Sequence, residues 1–285
     1  MGKFTSRTIR IQIEKMNKSL LEKLKAGQTV FGTCIISTSP IWSKSLVNSG
    51  LDFVFLDTEH IPLDRTELTY LCQVYNAMGI SPIVRILSPD PYLACMAKDA
   101  GAVGVLAPYV ESSEQILDLV GATKFRPLKG ERLKTALSGN GGLEPEVKKF
   151  LKNYNPGSMC IVNIESLHAV ENLDKLLKIP GLDAIIIGPH DLSINLGIPE
   201  QYEHPEYEAV VRKIIHKTRE KGLAAGIHFS GDPQRQIKWM TEGANIILHS
   251  SDMALFRQKL MDDIDKIKVA NGQTTQLSKS ADIVV

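Results

Sequence analysis

Short runs of apolar, largely β-branched residues recur along the chain, separated by stretches in which the apolar positions open out to a helical spacing. Eight such runs, at residues 29–36, 51–57, 82–86, 104–108, 159–165, 182–188, 224–229 and 245–249, predict strands too apolar to face water on either side. That is the pattern of a parallel sheet. Between them, Asp64 stands where an N-cap belongs ahead of Leu68, Leu71 and Tyr75, and Ser251 or Asp252 can open the last helix. In that helix Phe256, Leu260, Ile264 and Ile267 mark one apolar face. Strands and helices alternating with no break in composition predict an α/β fold, a (β/α)8 barrel over residues 27–270, with an open doubly wound sheet as the runner-up. A helical extension at 1–26, ending at Gly27, is expected before it. A polar tail at 271–285, without fixed structure, is expected after it.

Composition narrows the partners. The 285 residues, 43% hydrophobic, suffice for one large core and come close to the roughly 250 of a single barrel of this type. With 33 basic against 32 acidic side chains the formal net charge is +1, so no overall field draws in nucleic acid or anionic lipid. A small-molecule partner is expected instead. Cys34, Cys72, Cys95 and Cys160 are scattered without CxxC pairing, which predicts reduced thiols in the cytoplasm rather than a disulfide framework or a zinc cage. The first residues alternate charged and apolar groups, so neither a secretory signal nor a membrane span is expected.

The chemistry collects where the strands end. Glu165 closes one apolar run and Asp191 follows the next, through Gly188, Pro189 and His190. A carboxylate at the tip of a strand buried on both faces needs a cation or a hydrogen-bond network. Two at the same barrel end suit one hard divalent cation with much of its coordination sphere open, although either alone can serve as a helix cap. Arg85, set among β-branched residues, needs an anion nearby, either a substrate or an internal salt-bridge partner. Strand two delivers Asp57, Glu59 and His60 to the same mouth, and strand four ends near Tyr109. His228 and His249 end the last two strands and can also reach it, though such placements arise by chance. No lysine stands at any of these strand ends, which disfavours a Schiff-base mechanism.

The strings Phe55-Leu56-Asp57-Thr58-Glu59-His60, Pro82-Ile83-Val84-Arg85, Ile164-Glu165 with Ala169-Val170-Glu171-Asn172-Leu173, and Gly188-Pro189-His190-Asp191-Leu192-Ser193 resemble the pyruvate-dependent class II aldolases of the HpcH/HpaI type. The resemblance runs in register from about Gly27 to Leu260. It implies a modified TIM barrel whose last helix is exchanged with a neighbouring subunit, in a homohexamer or trimer of dimers. It implies reversible cleavage of a 4-hydroxy-2-oxo acid to pyruvate and an aldehyde through an enolate, with Glu165 and Asp191 holding magnesium, manganese or cobalt. Arg85 would then sit on the oxo oxygen, His60 would handle the proton, and Asp57 and Asp99 would orient that histidine. Gly188 and Pro189 would border the substrate, and the backbone N–H groups of His190 and Asp191, opening a helix, would receive its carboxylate. The runner-up readings are an enolate-using synthase or decarboxylase on this scaffold, and a non-catalytic oligomer stabilised by the metal.

Departures from that pattern also carry expectations. In Pro127-Leu128-Lys129-Gly130-Glu131-Arg132-Leu133-Lys134, Leu133 stands where the family has a second glycine, so a rebuilt loop is expected. His190 replaces a small residue and Asn163 a glutamine. Together these predict an intact pyruvate side and an altered aldehyde side, on which glycolaldehyde and succinic semialdehyde would be poor acceptors.

Overall fold

A computed structural model describes residues 19–139 and 142–273. Its strands are β1 (Val30–Cys34), β2 (Phe53–Asp57), β3 (Ser81–Arg85), β4 (Gly104–Ala107), β5 (Met159–Ile164), β6 (Ala184–Ile187), β7 (Ala224–Phe229) and β8 (Ile246–Ser251). All pair in parallel in chain order, and β1 pairs with β8, Val30 opposite Ile246, which closes the barrel and excludes the doubly wound sheet. The strand centres match expectation. The ends differ by at most two residues, because strand pairing and the apolar run need not stop at the same residue.

Side-chain alternation divides the core in two. Inward residues Phe53, Phe55, Ile83, Leu106, Ile161 and Ile186 fill the barrel, while outward Val54, Val84, Val105, Val162, Ile185 and Ile227 pack under the helices. Gly32 is a packing glycine, since a β-carbon there would run into the ring of Phe53. Leu20 and Leu24 of α1 (Leu20–Lys25) join the inner cluster, so this helix plugs the end at which the strands begin. The rest of the expected 1–26 extension lies outside the described residues, as does the tail from 274.

Five helices follow in order: α2 (Arg65–Ala77), α3 (Pro91–Ala100), α4 (Ser113–Lys124), α5 (Gly130–Ser138) and α6 (Pro145–Tyr154). Asp64 caps α2 as expected, its carboxylate accepting from the N–H groups of Thr66 and Glu67. The segment around Leu133 is rebuilt as helix α5, with positive φ at Gly130 and not at Leu133. Leu133 packs there against Gly121 of α4. Because α4 runs back along the barrel, α5 and α6 lie at the end where β5 begins, opposite the mouth. The altered segment therefore does not border the site within this chain, and the expectation that it reshapes the aldehyde side is corrected.

Between β5 and β6 come α7 (Leu167–Glu171) and α8 (Leu173–Leu176), and after β6 come α9 (Pro189–Asn195), α10 (Pro205–Glu220) and, beyond β7, α11 (Pro233–Thr241). The last helix, α12 (Asp252–Ala270), is capped by Ser251, and beyond Asp252 none of its side chains is buried. Its face of Phe256, Leu260, Ile264 and Ile267 stays exposed, as does Phe31 on the outside of β1. Among the described residues no helix is long and apolar enough to cross a membrane.

Candidate active site

Alternation that buries one residue of each strand inside the barrel delivers the next inward positions to its mouth: Asp57, Arg85, Asn163, Glu165, Gly188 and His228. Around them lies a cavity of about 590 Å3, lined among others by His60, Arg85, Glu165, Gly188, His190 and Asp191. Pro189 lines it too.

Glu165 is 3% exposed, and burial, with the nearby Asp191 charge adding to it, pushes its carboxyl up to about 7. Against this, Tyr109 donates its backbone N–H to Glu165 Oε1 at 2.6 Å and lowers the pKa. Tyr109 holds φ at 48°, an uncommon region for a residue with a side chain, and that turn aims its N–H at the carboxylate. The other oxygen, Oε2, passes so close over Gly188 that a β-carbon there would be driven into it. Asp191 sits in the first turn of α9, and its carboxylate accepts no hydrogen bond among the described residues. Neither acid has a lysine or arginine within ion-pair distance among those residues. Two carboxylates aimed at one space without a neutralising partner fit a divalent cation. Among the described residues no group of three or more His, Cys, Asp or Glu side chains is arranged to hold a metal ion.

Asn195, which sequence reasoning missed, braces the pair. Its Nδ2 donates to the backbone oxygen of Asp191 at 3.0 Å, to that of Glu165 at 3.3 Å and to the Tyr109 hydroxyl at 3.2 Å. Only its place one turn beyond Asp191 hinted at this.

Asp57, wholly buried, accepts from Arg85 in a two-pronged pair, Nε to Oδ1 at 2.8 Å and Nη2 to Oδ2 at 2.5 Å. Glu59 Oε2 lies 3.2 Å from the same Nε. Burial works against the Arg85 cation, but the hydrogen-bonded Asp57, then Glu59 and Glu165, raise its pKa overall. The guanidinium stands over the Phe55 ring at 5.5 Å. Its Nη1 is left without a protein partner among the described residues.

Two expectations are corrected here. Asp57 orients Arg85 rather than His60, because adjacent parallel strands put Asp57 opposite Arg85 while His60 lies beyond the strand end. The neighbour of His60 is Glu59, with Nε2 and Oε2 3.7 Å apart. Asp99 is not at the mouth: it sits near the end of α3, its side chain 69% exposed and paired with Arg126. Eight residues of helix carry the chain roughly 12 Å back down the barrel at 1.5 Å per residue, so Asp99 reaches the opposite end within this chain.

His190 Nδ1 lies 3.6 Å from Glu200. The N-cap position of α9 is Gly188 with no side-chain cap, so the first N–H groups of that helix face the mouth uncapped. On the far wall His228 holds Nε2 3.2 Å from the Ser250 carbonyl and meets the Phe55 ring edge-on at 5.9 Å. Burial lowers it to about 4, so it is neutral at pH 7. His249 does not line the cavity.

The profile of the HpcH/HpaI aldolase/citrate lyase family matches residues 31–258. A 2-keto-3-deoxy-L-rhamnonate aldolase from Salmonella gallinarum is 31% identical over 239 residues, 84% of this chain and 89% of that protein. An HpcH/HpaI aldolase from Desulfitobacterium hafniense DCB-2 superposes with a TM-score of 0.76 at 28% identity, covering 87% of this chain and 96% of the other. The citrate synthase SbnG superposes at 0.75 with 25% identity, covering 90% and 99%.

Proposed function

Because the chain belongs to the HpcH/HpaI aldolase/citrate lyase family, and is an enzyme of that divalent-metal-dependent lyase class, we propose that it cleaves a 4-hydroxy-2-oxo acid reversibly to pyruvate and an aldehyde. Glu165 and Asp191 hold the cation, magnesium, manganese or cobalt, as hard oxygen donors prefer. The observation that carries this is the buried Glu165 carboxylate, facing Asp191 without a cation of the protein and cleared by Gly188. When bound, the metal supplies a Lewis acid to the oxo and carboxylate oxygens of the 2-oxo acid.

The chain's own groups do the rest. Arg85, locked by Asp57, presents Nη1 to the oxo oxygen, where negative charge develops. The uncapped first turn of α9 receives the substrate carboxylate on the N–H groups of His190 and Asp191. His60, beside Glu59, removes the proton of the 4-hydroxyl, directly or through a water. The bond between carbons 3 and 4 then breaks, the aldehyde leaves, and the electron pair passes to the oxo oxygen as an enolate. Protonation at carbon 3 gives pyruvate.

The exposed apolar stripe of α12 and the uncovered Phe31 support a homo-oligomer in which this helix packs on a neighbouring copy, a hexamer or trimer of dimers. Four free thiols support a cytoplasmic location. Pyruvate release from 2-keto-3-deoxy acids, assayed after chelation and after adding back each metal, tests the function. Cleavage that returns only with metal is the expected result, and cleavage indifferent to chelation overturns it. The similarity to a citrate synthase favours a second reading, an enolate used for synthesis. That reading takes over if oxaloacetate is consumed while no 4-hydroxy-2-oxo acid releases pyruvate.

A further inference from the structure

The cavity holds a second arginine. Arg235, in the first turn of α11, lines the same space as Arg85, Glu165 and Asp191 but from the far wall, with His228 and Phe229. Its guanidinium carbon lies 5.0 Å from the centre of the Phe229 ring and 5.3 Å from that of Tyr202. Those rings are themselves locked, Tyr202 edge-on to Phe229 at 5.2 Å and to Tyr207 at 5.5 Å. Stacking on aromatic faces fixes a guanidinium plane while leaving its in-plane N–H groups available.

Those N–H groups have almost nothing to bind. Among the described residues Arg235 donates no side-chain hydrogen bond, and the only carboxylate within ion-pair distance is Glu203, at 3.9 Å and with its side chain 89% exposed. Such a pair at the rim contributes little and yields readily to a competing anion. The contrast with Arg85 is direct, since that guanidinium is gripped by Asp57 and Glu59. Arg235 is equally well positioned, 29% exposed, and not neutralised. His228 beside it is uncharged at neutral pH, so the positive charge of this wall is that of Arg235.

We propose that the aldehyde partner carries a terminal anionic group, carboxylate or phosphate, and that Arg235 receives it. This rests on the aldolase reading above. An arginine fork matches either oxyanion with two parallel hydrogen bonds. A site built around such a contact discriminates against the neutral analogue, which leaves the guanidinium N–H groups in the cavity without the anion they fit. The inference replaces the expectation that succinic semialdehyde is a poor acceptor, whose argument lay partly in a segment now placed at the other end of the barrel.

Matched acceptor pairs test it: succinic semialdehyde against butanal, and glyceraldehyde 3-phosphate against glyceraldehyde, each condensed with pyruvate and metal. The readout is the ratio of kcat/KM for the anionic member to that for the neutral one, an internal control against losses of folded enzyme. In the native protein one pair or the other should give a ratio of at least about ten, and which pair does so tells carboxylate from phosphate. Arg235→Met should collapse that ratio towards one, chiefly through KM, and Arg235→Lys should keep part of it. Ratios near one for both pairs in the native enzyme, or a ratio unchanged in Arg235→Met, overturn the proposal. Deuterium exchange of the pyruvate methyl by the native enzyme, with no acceptor present, is measured alongside. Exchange without anion preference defeats this inference alone, whereas its absence defeats the aldolase reading as well.

Discussion

On the side of the mouth formed by β2, β3, β5 and β6, the chemistry hangs on strand ends: Asp57 faces Arg85 across one ladder, and Glu165 lies against Gly188 across another. On the side formed by β7, α11 and the turn before α10, it hangs on rings and on one loosely paired arginine. The first side is closely paired, with Asp57 and Arg85 gripping each other and Glu165 and Asp191 turned to one space. The second is apolar, with one cation to spare. A reaction with one invariant substrate half and one variable half requires such a division, in which the half that bears developing charge is rigid and the other is free to select.

Several measurements can break or sharpen this division. The largest effect is expected from Glu165→Ala and Asp191→Ala, which should remain folded, lose at least about a thousandfold in turnover as the metal's charge stabilisation is removed, and show no manganese binding by calorimetry. Normal binding by either variant removes the assignment of the pair. Next, Arg85→Lys keeps a charge but loses the planar fork, and should cost about a hundredfold in kcat, comparable to losing one oxyanion donor. Asp57→Asn should act through the same guanidinium, so the double variant should be little worse than the worse single one; additive losses would return Asp57 to another role. Gly188→Ala places a β-carbon against Glu165 Oε2 and should weaken manganese binding about tenfold, since displacement of a ligand or its close support costs 10- to 100-fold. An unchanged affinity would mean that Glu165 does not need that clearance.

The smallest effect concerns stability. In the metal-free protein Glu165 has its carboxyl raised from 4.5 to about 7. Between those values the folded state holds a proton that the unfolded chain has lost, so its contribution is fully present below pH 4.5 and is lost as pH rises through 7. Glu165→Gln should therefore stabilise the metal-free protein at pH 8 by on the order of 2 kcal/mol, with no difference below pH 4.5. Denaturant titration at the two pH values decides it, and a variant less stable at pH 8 contradicts the buried-charge account.

The legibility of the two sides in the sequence differs for a physical reason. The barrel and its polar strand ends follow from eight apolar runs separated by helical patterns and from acids and an arginine that have no place in an apolar run, as at Glu165 and Arg85. Partners within the mouth do not follow from that pattern. Asp57 and His60 are near neighbours in sequence, yet a strand neighbour in the register opposite, Arg85, takes the carboxylate. Asp99 fits a family motif and still lies at the other barrel end, because a helix returns the chain to the floor. Tyr109 meets Glu165 through its backbone N–H, which depends on a turn conformation that composition does not encode. Arg235 was invisible for a similar reason, since one arginine in the first turn of a helix acquires meaning only from the rings of Tyr202 and Phe229 beside it.

The central claim is that Glu165, Asp191 and Arg85 together stabilise the enolate of a 2-oxo acid. Proton NMR of pyruvate with enzyme and manganese-free magnesium in deuterium oxide tests this without any acceptor. The account predicts loss of the methyl signal that stops on chelation, resumes on adding magnesium back, and is absent in Glu165→Ala and at least about a hundredfold slower in Arg85→Lys. A methyl signal that persists with metal present, or that exchanges equally fast in Glu165→Ala, would contradict it.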